Sequence, residues 1–202
     1  MYNFPRDLEA SINRQAGDIV KKAYQKTIFL KFDTIKSQMI AEFENHPVTA
    51  EIKEGPEAKN TSGTLNGYGN LFSYIGFEDG DDATSPVVEL LKQTTLQFSK
   101  LTNEGPVWNI FMPAKNDVWD VTPMPWAVGR SWAKGIESGI SGLGHYLYTQ
   151  RKNLANSRSG TAVQSSSNIR SGMRFSNVKY ITELLNKYEK KFSELNDSSI
   201  ST

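Results

Sequence analysis

"GRSWAKGIESGISGLGHYLY", residues 129–148, places five glycines in twenty positions. Trp132, Ile136, Ile140, Leu143 and Leu147 recur at steps of 4, 4, 3 and 4, the apolar stripe of an α-helix. Gly135, Gly139 and Gly142 each precede a member of that stripe and form a second one, rotated about 100° around the same helix. Each glycine costs about 1 kcal/mol against alanine in a helix interior. A ridge of them is expected where another backbone lies close. The competing reading is that Gly142 and Gly144 end the helix.

Phosphate-binding loops do not account for these glycines. A dinucleotide fingerprint has G-x-G-x-x-G between a strand and a helix, whereas the order here is G-x-x-G-x-G with no strand before it. No Walker-type Gly-Lys-Ser or Gly-Lys-Thr occurs. In "NGYGNLFSYIG" (66–76) Phe72 stands where a third glycine belongs, and the alternating aromatics read as a buried strand entered through a turn.

On the N-terminal side, apolar residues Leu8, Ile12, Ile19, Ala23, Leu30, Ile35, Met39 and Phe43 predict one long helix, or two collinear ones, over 6–43. It should stop at His46-Pro47. Unbroken, it is about 55 Å long, more than a small domain covers, so part of it is expected to pack on another chain. "VTAEIKEG" (48–55) alternates as a strand, and "PEAKNTSGTLNG" is a polar loop. Ser85 reads as an N-cap with Pro86 in the first turn, and Val87, Leu90, Leu91 and Leu96 as one helical face. "PVWNIFMPAKNDVWDVTPMPW" (106–126) reads as a hairpin about Pro-Ala-Lys-Asn-Asp. Serine-rich, basic 156–175 is a loop or arm, expected to order on assembly. An amphipathic helix over 177–195 and a frayed tail at 196–202 close the chain. The fold class is therefore α+β. One domain over 1–195 has the long helix, the glycine-ridged helix and the C-terminal helix packed on a small, mainly antiparallel sheet of 48–54, 70–77, 106–112 and 117–122.

Net charge is +1, which argues against wholesale coating of nucleic acid. There is no cysteine, hence no disulfide and no thiolate ligand or nucleophile. No apolar core of a signal peptide and no membrane-spanning run is present, so a soluble, cytoplasmically made protein is expected. The even balance hides a polarity. Nine acidic residues lie between Glu42 and Asp82 against Lys53 and Lys59. None lies between Ser138 and Thr182, where Arg151, Lys152, Arg158, Arg170, Arg174 and Lys179 occur. Two unlike faces of this kind suit a contact with another copy or a partner.

Residues suited to catalysis are scarce. His46 and His145 form no H-x-x-x-H pair, and no G-x-S-x-G elbow is present. Glu51 and Glu54 read as ordinary surface charges, and Glu78, Asp79, Asp81 and Asp82 as a solvated loop rather than a calcium hand. No catalytic residue, metal ligand or cofactor is assigned.

The order of a long helix, small sheet, "PWAVGRSWAKGIESGISGLGHYLY", "SRSGTAVQ" and "YITELLNKYEKKF" resembles the tail-completion and minor-tail proteins of long-tailed double-stranded DNA phages. "TSGTLNG" (61–67) is similar to the turn those proteins carry after the first helix, and 84–101 resembles an insertion. The resemblance implies a non-enzymatic virion protein forming a ring, six-fold, at the neck where tail tube meets head connector. Its partners would be its own copies, other neck or tail-tube proteins and, in passing, packaged DNA. No membrane partner and no catalytic residue come with it. Candidate interface residues are Gly135, Gly139, Gly142, Arg151, Lys152, Arg158, Arg170 and Arg174 with the acidic Glu78, Asp79, Asp81 and Asp82. The alternative is a nucleic-acid-binding accessory protein using basic 151–179.

Overall fold

Helix α1, Arg6–Asn45, runs unbroken for 40 residues and is about 60 Å long. The computed structural model describes residues 6–66, 69–102, 105–125, 127–139 and 175–197. Ile28, Phe32, Met39 and Phe43 recur at helical spacing on one face of α1 and are buried. Helix α7, Ile181–Asp197, lies antiparallel against this half, burying Ile181, Leu184, Leu185, Tyr188, Phe192 and Leu195. The Phe32 and Phe192 rings meet at 5.5 Å near one end of the pair, and the Phe43 and Tyr180 rings stack at 5.9 Å near the other. Lys187 Nζ donates to Glu42 at 2.7 Å, holding the Glu42 carboxyl below its usual range.

The expected helix stop at His46-Pro47 is present, but the strand expected over 48–54 is helix α2, Pro47–Glu54. His46 is its N-cap, with Nδ1 accepting from the Val48 N–H at 3.2 Å. Alternation misleads here because Thr49 and Glu51 are buried beside Val48 and Ile52, the i, i+1, i+3, i+4 pattern of one helical face. A 3₁₀ turn, Gly55–Glu57, follows. The second expected strand, 70–77, is instead helix α3, Leu71–Ile75. The Asn70 side chain caps it by accepting from Ser73 N–H at 2.8 Å, and Gly76 ends it in the left-handed region, φ 91° and ψ 30°.

Helix α4, Ser85–Lys92, has Thr84 rather than Ser85 as N-cap, and it stops before Leu96. Thr94 turns the chain out: its N–H and hydroxyl both donate to the Leu91 carbonyl, at 3.1 and 2.8 Å. Leu96 therefore lies in strand β1, Thr95–Thr102, which pairs antiparallel with β2, Gly105–Phe111, with a register shift between Phe98 and Lys100. The hairpin expected between 106–112 and 117–122 does not form, because β2 takes β1 as partner and 117–122 begins inside helix α5, Lys115–Asp120. Asp117 makes the difference: its carboxylate accepts from the Ala114 N–H at 2.7 Å and caps a helix where a turn was expected. Two-residue strand β3, Pro123–Met124, pairs antiparallel with β4, Ala127–Ser131. Among the described residues the sheet is thus two separate antiparallel ribbons, and the fold is α+β.

The glycine-ridged helix expected over 129–148 begins later than 129, and its residues 140–148 lie outside the described residues. Residues up to Ser131 belong to β4, and helix α6 is Trp132–Ser138. Ser131 caps its start, accepting from Lys134 N–H at 3.0 Å. Gly139 ends it at φ 94°, ψ 140°, donating its N–H to the Gly135 carbonyl at 2.8 Å. Gly139 is therefore a terminator and not a member of a ridge. Trp132 is buried between Phe77 and Tyr180, at ring distances of 6.1 and 6.3 Å, which joins α6 to the core. The C-terminal helix starts at Ile181 rather than 177 and continues to Asp197, past the expected end at 195. Before it, Ser176 N–H donates to the Thr64 carbonyl and Val178 N–H to the Ile136 carbonyl.

Candidate interaction surfaces

The first half of α1 extends past α7 and is covered on one side by the β1–β2 hairpin. Phe29 meets Trp108 edge-on at 5.5 Å, Lys21 Nζ lies 4.0 Å over the Phe98 ring, and Gly17 lies against Leu101. A Cβ at Gly17 would stand 3.0 Å from Leu101 Cδ2, so this glycine marks a close approach of helix and strand. No described residue covers the opposite side of α1. Ile19 is 68% exposed and Leu30 61%, with exposed Lys22 and Lys26 between them. Steps of 3, 4 and 4 put these four on one stripe, roughly 145° around the helix from Ile28 and Phe32.

Among the described residues, three concavities lie elsewhere. One, about 650 Å³, runs between β2 and α7, with Phe111, Met112, Leu185 and Phe192 in its wall and Lys115 and Glu189 as its charges. A second, about 580 Å³, is lined by Glu137, Asn177, Thr182, Glu183 and Lys187. Glu137 is engaged there: its carboxylate accepts from the Thr182 N–H and hydroxyl, both at 2.6 Å, capping the start of α7. The third, about 340 Å³, has Phe77, Pro86, Val121, Pro123 and Trp132 in its wall and Asp81 and Asp82 as its charges.

The acidic group Glu78, Asp79, Asp81 and Asp82 is the exposed loop leading into α4. Asp81 Oδ2 accepts from Glu78 N–H at 2.7 Å, and Asp82 Oδ1 from Thr84 and Ser85 N–H at 3.3 and 3.0 Å. The bonds from Ser85 hold the Asp82 carboxyl below its usual range. Among the described residues, no group of three or more His, Asp or Glu side chains is placed to hold a metal ion. Of the glycines, Gly135 is buried inside α6 and Gly139 caps it. Gly142, Arg151, Lys152, Arg158, Arg170 and Arg174 lie outside the described residues, as does His145.

Glu51 is not the surface charge expected. It is buried at 0% exposure, and its carboxylate accepts from Asn60 Nδ2 at 2.9 and 3.2 Å, Ser62 N–H at 3.0 Å and Leu71 N–H at 2.7 Å. These donors are the loop 60–71 folding over α2, so the group is a staple of the fold. Its partner Glu54 is exposed.

Sequence reasoning also missed the outward stripe, since Ile19 and Leu30 were counted among the apolar positions of α1 without assigning a face. The signal was present: Ile28, Phe32, Met39 and Phe43 define a core face from which Ile19 and Leu30 are excluded. Compared with known proteins, the chain matches no family model, no curated protein and no solved structure.

Proposed function

We propose that this protein works by assembly: a non-enzymatic virion protein of a tailed phage whose copies form a ring at the neck, joining tail tube to head connector. One observation carries the reading. A 202-residue domain has a radius of gyration of about 16 Å, a sphere roughly 43 Å across, whereas α1 is about 60 Å long. The overhanging half is not covered by charge alone; it presents Ile19 and Leu30 to solvent. Large aliphatic side chains on an outward helix face favour a partner, because covering each releases about 1.5–3 kcal/mol. Among the described residues, no helix is long and apolar enough to cross a membrane. The resemblance of the sequence to tail-completion proteins supports the kind of assembly proposed.

The test is the mass of the purified protein by light scattering and its appearance by electron microscopy, alone and with candidate connector or tail-tube proteins. A closed ring or a defined complex is expected. A monomer at every concentration that binds duplex DNA with affinity falling steeply in salt would replace this reading with the nucleic-acid-binding one. Reversing Arg158, Arg170 and Arg174 to glutamate separates their roles: lost rings place them in the protein contact, and intact rings with impaired DNA retention place them at the channel.

A further inference from the structure

We propose that the outward stripe of α1, Ile19, Lys22, Lys26 and Leu30, seats in the acid-rimmed groove beside Asp81 and Asp82 of the next copy of this chain. The proposal rests on the assembly reading and names its contact.

Charge selects the groove. The stripe is two lysines between two aliphatic side chains, with no acidic residue from Ile19 to Leu30 and exposed Asp18 and Asp33 flanking it. The groove between β2 and α7 holds one lysine and one glutamate, and the one beside Glu137 mixes Glu137 and Glu183 with Lys179 and Lys187. Neither offers a cationic stripe a net attraction. The third groove has apolar walls from Phe77, Pro86, Val121 and Pro123, and its only charges are Asp81 and Asp82. Asp79 lies two residues before Asp81 on the same exposed loop. Apolar matches apolar and lysine matches aspartate on surfaces that are both exposed.

Position selects the symmetry. Trp132 in the groove wall stands 6.3 Å from the Tyr180 ring, which stands 5.9 Å from the ring of Phe43. The groove thus lies level with the C-terminal end of α1, and Phe43 is about 25 Å along the helix from Lys26. A straight helix cannot bring its own stripe into that groove. The contact is between unlike faces of successive copies, which generates a ring where the rotation closes.

Sedimentation velocity of the full chain at low and high salt tests it, with circular dichroism to confirm folding. The variants are Lys22→Glu with Lys26→Glu, Asp79→Lys with Asp81→Lys, all four together, and Ile19→Ser with Leu30→Ser. Asp82 is kept because its carboxylate accepts from the N–H of Ser85, the first residue of α4. Either charge reversal, and the serine pair, should raise the dissociation constant about tenfold or more. The four-fold variant should restore the oligomer. If the wild-type oligomer persists unchanged in the reversed or serine variants, or the four-fold variant stays dissociated, this contact is wrong and assembly uses another face. A wild-type chain that is monomeric throughout overturns both the contact and the assembly reading.

Discussion

The buried carboxylate of Glu51 accepts the backbone N–H of Leu71 at 2.7 Å, tying α2 to the first residue of α3 twenty positions later. With the bonds from Asn60 and Ser62 it is satisfied by neutral donors alone among the contacts described, so every one of its interactions needs an acceptor.

Glu51→Gln keeps the shape and replaces one acceptor oxygen with an NH₂ that must face a donor. Leaving buried donors unpaired should lower stability by about 2–4 kcal/mol. Urea unfolding measures this. A loss within experimental error of zero would mean that the 60–71 loop does not depend on the carboxylate.

Gly139 separates two accounts of the glycines. At φ 94° and ψ 140° the cost of a side chain is conformational, and among the described residues a Cβ would meet only Asn177 Oδ1, at 3.7 Å. Gly139→Ala should therefore cost about 1–3 kcal/mol. Gly139→Leu should cost nearly the same. A close-packed ridge would instead make leucine much the worse of the two, and thermal or denaturant unfolding of the pair decides it.

His46 caps α2 through a neutral ring nitrogen and lies 4.7 Å from the Tyr180 ring. Burial holds its pKa below the ordinary 6.5, against the opposing pull of Glu183 and Glu42. The unfolded chain then binds the proton more readily, so the stability from the neutral ring is full above pH 6.5 and is lost as pH falls below it. The Glu42 carboxyl, lowered mainly by Lys187, adds a separate loss below its ordinary 4.5. In a series of melting temperatures, His46→Asn should flatten the upper step and leave the lower one, because asparagine caps without titrating. An unchanged upper step would assign it to another group.

Thr49 and Tyr180 share a buried hydroxyl pair at 2.6 Å. Burial raises the Tyr180 phenol well above its ordinary value. Tyr180→Phe or Thr49→Val alone should cost about 1–3 kcal/mol by stranding the other hydroxyl. The double variant should cost less than the sum of the two. Additive losses in the double-mutant cycle would show that the hydroxyls do not support each other.

Helices α1 and α7 were legible because sustained periodicity over many turns is compatible with only one secondary structure. The helix stop at His46-Pro47 was legible too, since proline restricts the residue before it. Short segments carried no such signal. "VTAEIKE" alternates like a strand, yet it is a helix because Glu51 has its donors only when loop 60–71 closes over that face. "LFSYI" and "KNDVWD" are likewise helical because Asn70 and Asp117 cap them, and β2 pairs with 95–102 because Thr94 ends α4 early. The candidate surfaces divide the same way. Acidic 78–82 was visible as a run of charge, but its apolar neighbours Val121, Pro123 and Trp132 come from distant parts of the chain. Local patterning by itself determined the long helices, where one period dominates. Tertiary structure decided the short elements and the grooves, because their stability depends on partners that sequence distance hides.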